Sequence, residues 1–392
     1  MLSSVKEFSY KIEKQLKEIR REIHRNPELS MCEYKTAALV AEKLRELGLE
    51  VKEYVGGTGV VGLLKGREPG KTIVLRADTD ALPVEEQTDH DFKSLNEQVM
   101  HACGHDAHTA ILLGAAEILV NMKDSLRGNV KFIFQPGEEK GTGADKMIEE
   151  GVMRQPEVDA ALALHVTPEL TAGQIGYREG PFFATVAFFK IEIIGKGGHG
   201  ALPHLSNNPI PIAAECVQAL QTIRSSKINP MEPFVLSLGS IQGGQKANVI
   251  PERVCMEGSV RCFDDKLMDY TEETIEKLLD SVTAAHGATF RLKFNRSVRT
   301  VINDKQMIAL VREAGKEILG EKNIIPVPQV LLGDDFGSFS QLVPSAYVYL
   351  GVGFEEQVNY PLHHPKFDLD EKALPVGAQL FSYTVLKFLN RV

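Results

Sequence analysis

Between His101 and His108 the chain places one thiol, three imidazoles and a carboxylate: Cys103, His101, His105, His108 and Asp106. An apolar run, Ile111-Leu112-Leu113-Gly114-Ala115-Ala116, follows at once. Donors crowded on a strand or loop edge that leads into a buried helix suit a metal centre. Cys103 and His105 alternate, so on an extended segment they project to the same side. A thiolate and an imidazole two apart can bind one ion, or one ion each of a close pair. A lone Cys-x-His is more often a buried thiol beside a hydrogen-bonded imidazole, so the metal reading depends on donors elsewhere.

Such donors exist. Glu138 and Glu139 are adjacent. Neighbouring carboxylates usually sit in solvent, but beside metal ligands they divide the work: one coordinates, the other takes a proton from water. His165 follows an apolar run, and His363, next to His364, precedes a C-terminal helical pattern. With Cys103, His105 and one of the carboxylates, His165 and His363 make five protein ligands. That is too many for one catalytic zinc with an open position, and it suits two ions sharing a bridging ligand and a water. Two rival classes are a thiol amidase, with Cys103 as nucleophile and His165 or His363 as its base, and a non-enzymatic binding protein of degenerate fold. Retention of both carboxylates and every ligand position speaks against the second.

The elements that must position these groups follow from periodicity. Residues 6–26 have apolar positions at helical spacing (Phe8, Ile12, Leu16, Ile19, Ile23), and a second helix spans 34–47. Strands are expected at 51–54 and 60–64. Three short apolar runs, 72–76, 130–134 and 158–164, read as buried strands. Each ends in a polar cluster: Asp78 and Asp80 after the first, Glu138 and Glu139 after the second, His165 after the third. Polar groups past the carboxyl ends of buried strands mark the site of an open α/β sheet. The texture changes at about Phe183. Strands at 185–194, 234–241, 253–261 and 289–294 alternate with helices at 209–224 and 266–285. This β-α-β-β-α-β order predicts a ferredoxin-like sandwich inserted into the first domain. The α/β pattern resumes with a helix at 305–319, a strand at 346–350 and a final helix from about 375. The expected organisation is a discontinuous catalytic domain, 1–182 and 295–392, with an inserted domain at 183–294.

Composition narrows the class. With 392 residues, two domains are the prior expectation. A net charge of -9 and no dense Lys/Arg run exclude a typical nucleic-acid binder. Five cysteines, an odd number with no Cys-x-x-Cys pair, argue against a disulfide framework. No apolar run reaches membrane-spanning length, and the charged start, Met1 to Glu7, carries no signal-peptide pattern. A reducing, cytoplasmic setting is expected, with neither membrane nor nucleic acid as partner.

Taken in order, the motifs resemble one family. They are His24-Arg25-Asn26-Pro27-Glu28-Leu29, Arg76-Ala77-Asp78-Thr79-Asp80-Ala81-Leu82-Pro83, Met100 to His108, Phe134-Gln135-Pro136-Gly137-Glu138-Glu139, Gly195 to His204, Asn248-Val249-Ile250-Pro251 and His363 to Asp368. The chain resembles the dinuclear-metal amidohydrolases: aminoacylases, hippurate hydrolases, auxin-conjugate hydrolases and N-acetyldiaminopimelate deacetylases. These are a branch of the zinc aminopeptidase/carboxypeptidase superfamily. The resemblance implies a zinc-exopeptidase-like catalytic domain with a central mixed sheet and an inserted ferredoxin-like lid that dimerises. It implies metal ligands at Cys103, His105, Glu139, His165 and His363, with Glu138 as general base. It implies that His199, on the lid, reaches a partner subunit's site and stabilises the oxyanion, in a dimer or a tetramer of dimers. Asn248 and Arg261 match positions that bind the substrate carboxylate in the wider superfamily. Asp80 becomes a group that orients a ligand, and Asp106, His101 and His108 supporting groups. The implied substrate is an N-acyl amino acid, with a dipeptidase or carboxypeptidase as the nearest competitor. Two divalent ions are implied, zinc-like by ligand softness, with manganese, cobalt or nickel used by relatives. Two departures stand out. Other branches of the superfamily place a metal-binding His where this chain has Asp78, and Gly137 stands where Ala is frequent among relatives.

Overall fold

The computed structural model describes residues 1–390 and divides the chain into two compact units. The first comprises Met1–Phe182, Val301–Gln329 and the chain from Asp334 on; the second comprises Phe183–Thr300 and Val330–Gly333.

The first unit opens with α1 (Leu2–Lys11) and α2 (Glu13–Arg25). These divide the single helix expected at 6–26, with Ile12 at the joint still bonded to Phe8 O. The expected apolar face survives the joint: Ile12, Leu16, Ile19 and Ile23 are all buried. There follow α3 (Tyr34–Glu46), β1 (Glu50–Val55), β2 (Gly59–Lys65), β3 (Glu68–Asp78), α4 (His105–Asn121), β4 (Arg127–Gln135), α5 (Gly143–Glu149), β5 (Ala160–Thr171), β6 (Ile175–Tyr177) and β7 (Gly180–Phe183).

The second unit contains β8 (Thr185–Ile194), β9 (Gly198–His199), α6 (Pro209–Thr222), β10 (Val235–Gly243), β11 (Val249–Ile250), β12 (Arg253–Cys262), α7 (Asp265–Ala285) and β13 (Thr289–Val298). Its sheet runs β10-β12-β8-β13, antiparallel throughout, which is the ferredoxin-like order. Ala187, Phe189, Ile191 and Ile193 of β8 pack with Ile212, Cys216 and Leu220 of α6 and Ile275 and Leu279 of α7. Phe188 and Lys190, on the alternate positions, are exposed, so the helices cover one face only. The unit extends past 294 because β13 runs on to Val298, which pairs with Val186.

The first unit resumes with β14 (Val301–Asn303), α8 (Lys305–Leu319), β15 (Ile324–Pro326), α9 (Gly337–Ser340), β16 (Ser345–Gly353) and α10 (Ala373–Leu389). Its mixed sheet has eight strands in the order β1-β2-β4-β3-β5-β16-β6-β15. The middle four, β4, β3, β5 and β16, are parallel. These hold the three apolar runs, which sit where both faces are covered. Ile73, Leu75 and Ala77 of β3 share one core with Ile111, Leu112 and Ala115 of α4 and Leu380 and Phe381 of α10. Arg76 and Asp78 alternate to the opposite face. The architecture is a zinc-exopeptidase-like mixed sheet with an inserted ferredoxin-like unit. Among the described residues no helix is long and apolar enough to cross a membrane.

Candidate metal centre

Cys103 and His105 meet by a turn, not on an extended segment. Gly104 takes a left-handed φ of +82° and caps α4, of which His105 is the first residue. A Cβ at Gly104 would stand 2.4 Å from Val166 Cγ2, so the close approach of β5 adds to the conformational reason for glycine. His105 is fully buried. Its Nδ1 donates to the Asp80 backbone oxygen at 2.9 Å and lies 3.2 Å from Asp80 Oδ1. That leaves Nε2 as the free lone pair, and among the described residues it has no hydrogen-bond partner. A buried imidazole nitrogen with its lone pair so placed has the chemistry of a metal ligand.

His165 lies within β5 rather than at its end, since the strand continues to Thr171. Its Nδ1 donates to Val166 O at 2.7 Å, and its Nε2 lies 3.4 Å from Cys103 Sγ. His363 has a left-handed φ of +66°, and its N–H donates to Ala102 O at 2.8 Å. This brings its Nε2 to 3.4 Å from Glu139 Oε1. His364 turns the other way, accepting from Lys366 N–H at 3.0 Å and stacking on Tyr360. Glu138 and Glu139 open a single 3₁₀ turn, Glu138–Lys140, directly after β4. Three donor groups result, with ligand atoms all within 4.8 Å of one another: Cys103, His105 and His165; Cys103, Glu139 and His363; His105, Glu138 and Glu139. The five expected ligands and Glu138 thus form one contiguous cluster. Thiolate, imidazole and carboxylate donors around an unpartnered imidazole nitrogen fit divalent, zinc-like ions.

Sequence reasoning missed two of the carboxylates behind this cluster, Asp334 and Asp335. The Arg76 guanidinium is buried; it donates to Asp78 at 2.6 Å, Asp335 at 2.9 Å and Gln135 at 2.9 Å, and pairs with Asp334 at 3.3 Å. Asp78 continues to His108, whose Nδ1 lies 2.5 Å from Asp78 Oδ1 and whose Nε2 accepts the Val166 N–H at 2.9 Å. Asp78 therefore pins the strand beside His165. Asp334 and Asp335 lie against Glu138. Burial, followed by the charges of Asp334, Glu139 and Asp335, holds the Glu138 carboxyl well above the usual range. Burial also pushes Asp335 up to about 7, against the pull of Arg76. The adjacent acids within an apolar stretch, Gly333-Asp334-Asp335-Phe336, were the available signal.

The supporting residues separate. Asp80 touches the cluster twice, at His105 and through Oδ2, which accepts the Glu139 N–H at 3.0 Å. Asp106 instead faces the N-terminal helices, accepting from Arg20 Nε at 2.8 Å and lying 2.8 Å from His24 Nδ1. His101 is buried with both ring nitrogens unpartnered among the described residues, and burial lowers it to about 3. His199, Asn248 and Arg261 belong to the second unit. His199 pairs with Val249 across β9 and β11, and Gly200 N–H donates to Asn248 O at 2.9 Å, so His199 and Asn248 are neighbours. Arg261 donates to Leu331 O at 2.8 Å and stands opposite Val186, at the start of β8. His199 follows the other end of β8, at least eight residues or about 26 Å along the strand direction.

A zinc-exopeptidase-like sheet carrying this donor cluster defines a metal-dependent amidohydrolase. The chain belongs to peptidase family M20/M25/M40, whose model matches residues 74–387. It is 41% identical to a thermostable carboxypeptidase of Saccharolobus solfataricus, covering 100% of both chains. It is 38% identical to an N-acetyl-L-cysteine deacetylase of Bacillus subtilis, over 96% of this chain and 89% of that one. A crystal structure of a dinuclear metal binding peptidase of the M20 family from Bacillus subtilis superposes with a TM-score of 0.84 at 34% identity, covering 98% of this chain and 100% of the other.

Proposed function

We propose that this protein hydrolyses the amide bond of N-acyl amino acids, releasing a carboxylic acid and a free amino acid. The observation that carries the reading is the cluster itself: five donors of the right softness, His105 Nε2 among them, linked through shared members, with a sixth group, Glu138, alongside. Cys103, His105, Glu139, His165 and His363 would hold two divalent ions, with Cys103 common to two of the donor groups. Ions bound there supply Lewis acidity, which acidifies water and polarises an acyl carbonyl. Glu138 accepts the proton of the attacking water and returns it to the leaving amine. Burial and the neighbouring carboxylates raise its proton affinity, which strengthens it as a base. Asp80 fixes the His105 tautomer and the Glu139 amide. The buried thiol and the imidazole set favour zinc among the candidate metals.

His199 would donate to the oxyanion, and Asn248 and Arg261 would hold the substrate carboxylate. Their separation along β8 supports a homo-oligomer, because one small substrate cannot span both ends of one sheet. Two chains facing each other would supply His199 and Asn248 from one and Arg261 from the other. A second reading is favoured by the thermostable carboxypeptidase relative: the same centre acting on peptides. A panel of N-acetyl, N-benzoyl and indoleacetyl amino acids beside dipeptides and blocked peptides, with added zinc, manganese or cobalt, separates the two. Turnover of the acyl amino acids that EDTA abolishes supports the first reading; activity confined to peptides supports the second. Activity that survives EDTA and is lost to iodoacetamide would replace both with a thiol amidase.

A further inference from the structure

The turn that carries Glu138 and Glu139 is held from outside the segment matched by the family model, by the loop between α2 and α3. Glu33 in that loop is 1% exposed and belongs to none of the donor groups found among the described residues. Its Oε1 accepts two backbone N–H groups, from Met31 at 2.8 Å and from Gly137 at 2.9 Å. Its Oε2 accepts the Thr58 hydroxyl. Gly137 directly precedes Glu138 and has a left-handed φ of +65°. The place where its Cβ would stand is 2.5 Å from Met31 Sδ. One oxygen of Glu33 thus fixes both sides of the contact between the loop and the turn.

The same loop reaches further along the turn. Ser30 Oγ donates to Asp80 Oδ2 at 2.6 Å, the oxygen that takes the Glu139 N–H. Lys140 Nζ donates to Ser30 O at 3.1 Å. Residues 137, 139 and 140 are therefore tied to the loop 30–33, directly or through Asp80. A buried carboxylate that contacts no cation among the described residues is unfavourable in itself. Its three donors give it a function that an apolar side chain could not perform.

We infer that Glu33 is a positioning residue for the proposed amide hydrolysis: its grip on the Gly137 amide sets the turn so that Glu139 faces the ligand cluster and Glu138 faces the attacking water. This rests on the roles proposed above for Glu138 and Glu139. Removing the carboxylate leaves the buried Gly137 amide and the part-buried Met31 amide without this acceptor. The turn then relaxes at the step that needs it in register, while substrate contacts elsewhere are untouched.

The test uses the full chain and three variants, Glu33→Ala, Glu33→Asp and Glu33→Gln, with Glu138→Ala as reference. The readouts are kcat and KM on the best substrate of the panel above, zinc affinity of the metal-free protein by competition with a chromophoric chelator, and the urea midpoint. Glu33→Ala lowers kcat by about 10- to 100-fold and weakens one of the two zinc equivalents about tenfold, with KM within about threefold. Glu33→Asp, about 1.5 Å shorter, shows the same pattern more mildly and carries the test should the alanine variant not fold. Glu33→Gln keeps an acceptor oxygen for both amides and an NH₂ for Thr58, and restores kcat to within about threefold. A lower urea midpoint with kcat and both zinc affinities unchanged would make Glu33 a structural staple and overturn the inference. Glu138→Ala that binds zinc but does not turn over leaves the base assignment standing whatever Glu33 does. Glu138→Ala with normal turnover removes that assignment, and the inference with it.

Discussion

Arg76 pairs with three buried carboxylates, and replacing it by leucine tests whether the carboxylates behind the metal cluster depend on it. The guanidinium is 1% exposed and lies within 3.3 Å of oxygens from Asp78, Asp334 and Asp335. Each pair is worth about 4 kcal/mol of gross attraction at an effective dielectric of 20. The arginine's own desolvation cancels much of this. Removing one partner of a buried pair leaves about 3–5 kcal/mol of net loss, a large share of the roughly 5–15 kcal/mol that holds a domain folded. The loss should depend on pH. Burial raises Asp335 to about 7 even with Arg76 pulling it down. Without the guanidinium the carboxyl moves higher, so the folded variant binds more protons than the folded parent above pH 7. Stability falls with pH wherever the folded state holds the extra proton. The deficit of Arg76→Leu therefore widens from pH 6 to pH 9. Urea unfolding followed by circular dichroism, in chelator at both pH values, measures it. Arg76→Lys restores charge but not the fork, and recovers only part of the loss. A variant within 1 kcal/mol of the parent, or a deficit larger at pH 6, would refute the reasoning.

Two further outcomes follow from the geometry. Gly104→Ala loses about 1–2 kcal/mol from the left-handed backbone alone, and more from the contact with Val166. Because Gly104 sets the angle between Cys103 and His105, its zinc affinity, read by chelator competition, falls as well. His199→Ala and Glu138→Ala are each inactive as pure oligomers. Mixing them under subunit exchange restores up to about a quarter of parental activity, since one composite site in a mixed dimer retains both residues. A mixture as inactive as its components argues against a site shared between chains.

The periodicity of the chain was enough to place its main elements. Apolar runs at 72–76, 130–134 and 158–164 became the central strands β3, β4 and β5, because continuous apolar sequence reports a strand covered on both faces. Alternation from 185 to 194 became β8, and the order of strands and helices around it defined the ferredoxin-like unit. These are local signals of burial, and burial is what a sheet imposes residue by residue. The donor chemistry of Cys103, His105, His165, His363 and the Glu138-Glu139 pair was also legible from residue type, the resemblance singled out Glu139, and the fold brings all of them together in one cluster.

Tertiary structure decided how the groups meet. The expected extended Cys103-Gly104-His105 is a left-handed turn into a helix, and Val166, from a strand some sixty residues later, comes so close that it leaves no room for a side chain at 104. His165 sits mid-strand because β5 continues past the polar residue that looked like its end. His363 rather than His364 reaches Glu139, since the N–H bond to Ala102 rotates the backbone there. Nothing in the local sequence around Asp334 and Asp335 names their partners, and only the fold brings them onto Arg76, Gln135 and Glu138, roughly two hundred residues or more away. Sequence spacing carries information about neighbours within a helix turn or a strand pair. A buried charge network joins elements distant in the chain, and its members are chosen by the sheet order, which no local period encodes.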